Sequence, residues 1–173
     1  MKKKGALFWI VLIVTIAINI FIIVNACING EASAEESNTV AHTTADVINA
    51  VKPETITEAN FSRFAFSLRK ILGHFSLFAL SGIMSTLSIL MLTKNSRLDN
   101  IFYQFTNTLS HGIVLAIISE YLQTLTDGRS GNVKDIWIDF AGYILGVVLM
   151  LLVITIIEFV KTHKFIHKKN QGI

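Results

Sequence analysis

Four long apolar runs, joined by polar links, organise the chain. Leu7 to Ile28 is apolar apart from Thr15, Asn19 and Asn25. Ile71 to Leu92 carries His74 near its start and Ser76, Ser81, Ser85 and Ser88 inside. Ile101 to Leu122 holds Gln104, Asn107, His111 and Glu120, and Ile136 to Val160 is interrupted by Asp139 and Glu158. Each run reaches the roughly 20 residues that a helix needs to cross about 30 Å of hydrocarbon. Many of the residues are Ile and Val, which favour strands in water. In lipid the backbone must satisfy its own hydrogen bonds, and a helix does so within one segment. The pattern predicts an all-α integral membrane protein with four transmembrane helices.

Between the first two runs the pattern changes twice. Residues 29–51 are polar, acidic and rich in Ala, Ser and Thr, and read as a mobile stretch. From Pro53 to Leu68, Ile56, Ala59, Asn60, Arg63, Phe64 and Ser67 recur at spacings of three and four, with Phe61 and Phe66 added. That spacing predicts an extracytoplasmic amphipathic helix lying near the membrane surface. The chain thus divides into a first transmembrane helix (1–28), an acidic outer segment (29–69), a three-helix membrane core (70–160) and a basic tail (161–171) before terminal residues 172–173. No internal repeat is visible.

Composition supports this class. Of 173 residues, 52% are hydrophobic and 16% charged, against roughly 25% charged in soluble domains. Such apolar content excludes a disordered chain, and the single cysteine, Cys27, excludes an internal disulfide. The net charge of +3 and pI of about 9.1 do not indicate nucleic-acid binding, because the basic residues sit at the ends of apolar runs. Instead they set an orientation. Lys2, Lys3 and Lys4, then Lys94 and Arg97, then Lys161, Lys164, Lys168 and Lys169 belong on the cytoplasmic side. Both termini are therefore expected in the cytoplasm. The stretch from Asn29 to Arg69 has six acidic and three basic residues, net −3, and reads as extracytoplasmic. The link from Thr124 to Lys134 shares that side despite Arg129 and Lys134. Val24-Asn25-Ala26-Cys27 resembles a lipoprotein cleavage string, but the long apolar run before it favours a retained helix.

Ionisable residues inside a membrane span are costly and mark function by default. With this topology several converge on the outer leaflet. Arg69 and Lys70 mark the outer end of the second span, with His74 one turn deeper on the face of Lys70. Glu120 and Gln123 reach the same level on the third span. Asp135 and Asp139 begin the fourth, on a stripe continued by Gly142 and Gly146, a small-residue face suited to close helix approach. Gly82 belongs to a less coherent stripe. Asp127-Gly128-Arg129-Ser130-Gly131-Asn132 reads as a turn, with Asn132 capping the next helix and Asp135 completing a capping box. His74, Glu120 and Asp139 are the acid–base candidates, since a carboxylate can orient an imidazole for proton transfer. Arg69, Lys70, Gln123, Arg129 and Asp135 are the binding candidates, the cations suiting a phosphate or carboxylate. His111, at mid-membrane depth, reads as an interhelical hydrogen bonder. No tight ligand spacing points to a metal, and neither metal nor cofactor is expected.

Arg69-Lys70-Ile71-Leu72-Gly73-His74-Phe75, Glu120-Tyr121-Leu122-Gln123, Gly128-Arg129 and the run from Asp135 through Asp139 to Gly142 together resemble the VanZ-like family of small bacterial membrane proteins. The resemblance covers about residues 60–160. Two positions depart from the family pattern: Ser119 stands where many relatives have Asp, and Asp139 where many have Asn. The resemblance implies a multi-pass protein of the bacterial plasma membrane with an extracytoplasmic-face site and a role in envelope or antibiotic response. Its namesake is linked to low-level teicoplanin resistance; no enzyme assignment follows. Two function classes stay open. In one, the polar site binds or modifies an anionic lipid, a lipid-linked wall precursor or an amphiphilic antibiotic such as a glycopeptide. In the other, the polar cluster holds the helix bundle and the outer segment binds a partner, with a homo-oligomer as a further option.

Overall fold

The computed structural model describes residues 5–93 and 99–170, with side chains described for 5–93 and 102–163. The basic residues Lys2, Lys3, Lys4, Lys94 and Arg97 lie outside it, as do residues 171–173 and the side chains of Lys164, Lys168 and Lys169. Every regular element among the described residues is helical. In chain order they are α1 (Ala6–Ala26), α2 (Gly30–Val51), α3 (Glu58–Arg69), a π-helical turn (Lys70–Phe75), α4 (Ser76–Leu92), α5 (Asp99–Thr124) and α6 (Val133–Asn170).

The stretch expected to be mobile is a helix, α2. Asn29 starts it, its Oδ1 accepting from the Glu31 N–H at 2.8 Å, and Glu31 places an acid in the first turn, where the helix dipole favours it. The hydroxyls that suggested coil bond to their own helix: Ser37, Thr39, Thr43 and Thr44 each donate to the carbonyl four residues back. The buried positions of α2 are the small residues Ser33, Ala41 and Ala45. α3 begins at Glu58, five residues beyond Pro53, with Asn60 Oδ1 accepting from the Thr57 N–H at 2.9 Å. Asn49 ties the two helices into a hairpin, accepting from Ile56 N–H at 2.9 Å and donating to Ile56 O at 2.8 Å.

α3 runs through the π turn into α4, so Glu58–Leu92 is one helix of 35 residues. At the π turn, the Ser76 N–H and hydroxyl both donate to Ile71 O, the latter at 2.8 Å. Such single wide turns shift the register of the side chains that follow and are frequent at functional sites.

Three helices among the described residues are long and apolar enough to cross a membrane: α1, the α3–α4 helix and α6. This corrects the expectation of four. α5 has the length, 26 residues or about 39 Å, but not the apolarity. Its polar residues fall on both sides: Gln104, Thr108, Ser119, Glu120 and Gln123 are buried, whereas Thr106, Asn107, Ser110 and His111 are exposed among apolar residues such as Phe102, Val114, Ile117 and Ile118. Polar side chains on both the buried and the exposed faces lower its hydropathy.

α4 packs against α1, α5 and α6, and its seam with α6 is the tightest. Along this seam backbone meets backbone. A Cβ on Gly142 would stand 2.2 Å from Phe75 O, on Gly146 1.9 Å from Ala79 O, and on Gly82 2.2 Å from Tyr143 O. Gly82 therefore shares the seam with the glycine stripe of α6. Ile22, Phe78, Leu115, Ala116, Tyr143 and Val147 form the core where α1, α4, α5 and α6 meet. A polar chain runs beside that core. Ser81 donates to Asn19 Oδ1 at 2.7 Å, which leaves the Asn19 amide nitrogen, at 3.3 Å, to donate to His111 Nε2. His111 Nδ1–H then faces the Tyr143 hydroxyl at 3.0 Å, an assignment that follows from the hydrogen-bond partners. His111 is thus the interhelical hydrogen bonder its depth suggested.

Candidate functional site

The site lies at the end of the bundle where α1 and α5 finish and α6 begins. Three devices bring its parts together. Gly142 lets α6 approach the π turn, one turn from Asp139 and beside His74. Gly128, at φ +72°, provides the left-handed residue of the α5–α6 turn. Gly30 N–H donates to Asp127 O at 2.9 Å, docking the start of α2 on that turn.

His74 Nδ1 lies 3.1 Å from Asp139 Oδ1. Asp139 is 0% exposed and Glu120 3%, and one ligand-capable atom from each of His74, Glu120 and Asp139 lies within 4.8 Å of the others. Both oxygens of Glu120 are engaged: Oε1 accepts from the Asn132 N–H at 2.6 Å and Oε2 from Gln123 Nε2 at 3.0 Å. Asn132 caps α6 as expected, its Oδ1 accepting from the Lys134 N–H at 3.0 Å. The return bond does not come from Asp135. Glu120 reaches across from α5 to supply it, fixing α6 against α5. Asp135 pairs instead with Lys70, both largely buried, and Lys70 also lies over the Phe66 ring at 5.1 Å. The partner that Lys70 meets in this structure is thus the carboxylate of another binding candidate.

The two arginines behave differently. Arg69 Nη2 and Arg129 Nη2 donate to the same hydroxyl, Ser33 Oγ, at 3.0 and 3.1 Å. Arg129 Nη1 also donates to Asn25 O at the end of α1. Neither guanidinium forms an ion pair among the described residues. Burial, and then the neighbouring Arg69 charge, push the Arg129 guanidinium below its usual range, though an arginine stays charged throughout physiological pH. Between these arginines and the bundle lies a cavity of about 270 Å³. Ser33, Arg69, His74 and Arg129 line its polar part, and Phe21, Ile22, Leu72, Leu77 and Phe78 its apolar part. A second cavity of about 190 Å³ shares Arg69, His74, Gln123 and Arg129 and extends to Lys70 and Asp135.

All eight candidate residues therefore gather at one end of the bundle, in three groups: the His74–Glu120–Asp139 cluster with Gln123, the Lys70–Asp135 pair, and the Arg69–Arg129 pair. Sequence reasoning missed Ser33 and Asn25, and of Asn132 it gave the helix cap but not the hold on Glu120. Asn25 acts through a backbone carbonyl and Asn132 holds Glu120 through its N–H, which no side-chain pattern reports. Ser33 sits in a Ser- and Thr-rich helix where nothing distinguishes it from its neighbours.

A helical bundle with apolar outer faces and a buried ionisable cluster at one end defines a membrane-type protein. The family model for VanZ/LLP1 matches residues 8–155, and the chain belongs to that family. The match begins well before residue 60, taking in most of α1 and all of α2, and ends at residue 155. No protein of curated function and no solved structure matches the chain.

Proposed function

We propose that this chain binds an amphiphile with an anionic headgroup at the outer leaflet of the bacterial plasma membrane. The class includes anionic lipids, lipid-linked wall precursors and amphiphilic antibiotics of the glycopeptide type. The observation that carries the reading is the 270 Å³ cavity with two arginines on one side and an apolar wall on the other. Two guanidinium groups converging on one hydroxyl repel each other at reduced dielectric. An anionic oxygen between them would offset that repulsion through charge-assisted hydrogen bonds. The apolar wall suits the start of an acyl or isoprenyl chain. The volume is near the lower end for small-molecule pockets, enough for a headgroup with part of a chain outside it. The outward orientation rests on the Lys/Arg distribution, and membership of the VanZ/LLP1 family supports an envelope role. His74 beside Asp139 adds the means for proton transfer to a bound headgroup.

One observation favours a second reading: Glu120 and Asp135 hold helices together, through Asn132 and Lys70. A structural or regulatory protein would need such a network and no ligand.

Native mass spectrometry in mild detergent, with anionic and zwitterionic lipids added in turn, separates the two readings. Anionic lipid should bind in preference, and Arg129→Lys should weaken it about tenfold, the equivalent of about one lost charge-assisted hydrogen bond. Equal retention of both lipids, unaffected by Arg129→Lys, would assign these residues to the structural reading.

A further inference from the structure

We infer that His74, Glu120 and Asp139 form a binding site for a first-row divalent transition cation of the zinc type. Three features support it. The first is geometry. The three ligand-capable atoms lie within 4.8 Å of one another. The 3.1 Å from His74 Nδ1 to Asp139 Oδ1 is close to the roughly 3.3 Å edge of a tetrahedron with metal–ligand bonds of about 2.0–2.1 Å. A metal would take the position now bridged by a proton, and Glu120 would supply the third ligand atom.

The second feature is an unmet requirement. Asp139 is wholly buried, and its Oδ2 has no hydrogen-bond partner. A buried carboxylate oxygen without a donor is costly. Two buried carboxylates this close repel each other, and the Lys70 charge is already paired with Asp135. Two carboxylates and one neutral imidazole match the charge of a divalent ion, and one nitrogen with two oxygens suits zinc, manganese or iron(II).

The third feature is the surrounding shell. Metal-binding carboxylates are usually oriented by outer hydrogen bonds, and Glu120 receives one from Asn132 N–H and one from Gln123. His74 lines both cavities, so an ion has a route in. Three protein ligands leave coordination positions open for water or an anionic oxygen. The sequence spacing concealed the set because its members come from three different helices.

The test contains no lipid, so its outcome is separate from that of the headgroup reading. Full-length protein in detergent is stripped with chelator, equilibrated with zinc or cobalt(II), and passed through a desalting column. Wild type should retain one equivalent of metal by elemental analysis, show a visible cobalt(II) absorption band, and melt at a higher temperature with zinc than without. Asp139→Asn and Glu120→Gln, close in shape to the native residues, should lose the retained metal and the zinc-induced shift while still folding. Gln123→Ala, which removes only an orienting bond, should bind about 10–100-fold more weakly. A wild-type protein that retains neither metal, or variants that bind as wild type does, would overturn the site.

Discussion

The α4–α6 seam and the α2–α3 hairpin are built on opposite terms. The seam has almost no side chains between its helices at Gly82, Gly142 and Gly146, so backbone lies on backbone. In lipid, where water does not drive helices together, close packing of small residues is the main source of association. The hairpin is held by polar side chains: Asn49 on Ile56, and Ser33 on Arg69 and Arg129. One joint has no room to adjust, while the other depends on hydrogen bonds that water or a ligand could replace. α2 lines one side of the cavity, and the π turn and start of α4, which pack on α6, line another, which gives the site a rigid wall on the α4 side and a more yielding one on the hairpin side.

The comparison is broken most severely at the seam. Gly146→Leu places a Cβ where Ala79 O stands 1.9 Å away, and no side-chain motion relieves a clash with backbone. Overpacking in a core costs about 1–3 kcal/mol and more where the backbone must shift, so this variant should lie at or above the top of that range. Folded yield and thermal unfolding in one detergent would show it. Gly82→Leu should be nearly as damaging, since its Cβ meets Tyr143 O. An unaffected melting temperature in either variant would mean that the seam is looser than its glycines indicate.

Gly82 also shows what the sequence could and could not convey. The Gly142 and Gly146 stripe was legible as a period of four on one helix. Whether Gly82 faced that stripe depended on the rotation of α4, which the π turn at Lys70–Phe75 resets by a register shift without a compositional signal. α1, α4 and α6 were legible because uniform apolar runs need no partner to be recognised. α5 was harder, since polar residues interrupt both its buried and its exposed faces. α2 was missed because its buried face consists of Ser33, Ala41 and Ala45, which form no hydrophobic stripe. The gathering of His74, Glu120 and Asp139 followed from depth along three helices. Their groupings did not: that Lys70 pairs with Asp135, and Arg69 with Arg129 across Ser33, depends on lateral positions that depth leaves open.

A smaller effect is expected between the two regions, at Lys70. Its ammonium and the Asp135 carboxylate are only 19% and 12% exposed. Removing one member of a buried pair costs about 3–5 kcal/mol, and partial solvent access reduces this to about 1–2 kcal/mol here. Lys70→Met keeps the stem over Phe66 and deletes the charge, leaving Asp135 unpaired near the start of α6. Lys70→Met with Asp135→Asn removes both charges and should recover much of the loss. Unfolding of the two single variants and the double variant gives the coupling directly, and strict additivity would show that the pair contributes nothing.

The smallest and most local effect belongs to the hairpin turn. Asn49 makes two hydrogen bonds to the backbone of one residue, Ile56, and so fixes where α2 ends and the chain turns toward α3. Asn49→Ala removes both. At about 0.5–1.5 kcal/mol each, and with water able to reach the freed groups of this half-buried turn, the loss should be about 1 kcal/mol. It should also be confined. α2 meets the bundle through Gly30 and Ser33 at its far end, and α4 and α6 share no contact with Asn49. Amide hydrogen exchange should therefore quicken across residues 45–60 and stay unchanged along α4 and α6. Faster exchange throughout the molecule would show that the hairpin and the seam unfold as one unit, and that the contrast between a rigid wall and a yielding one does not hold.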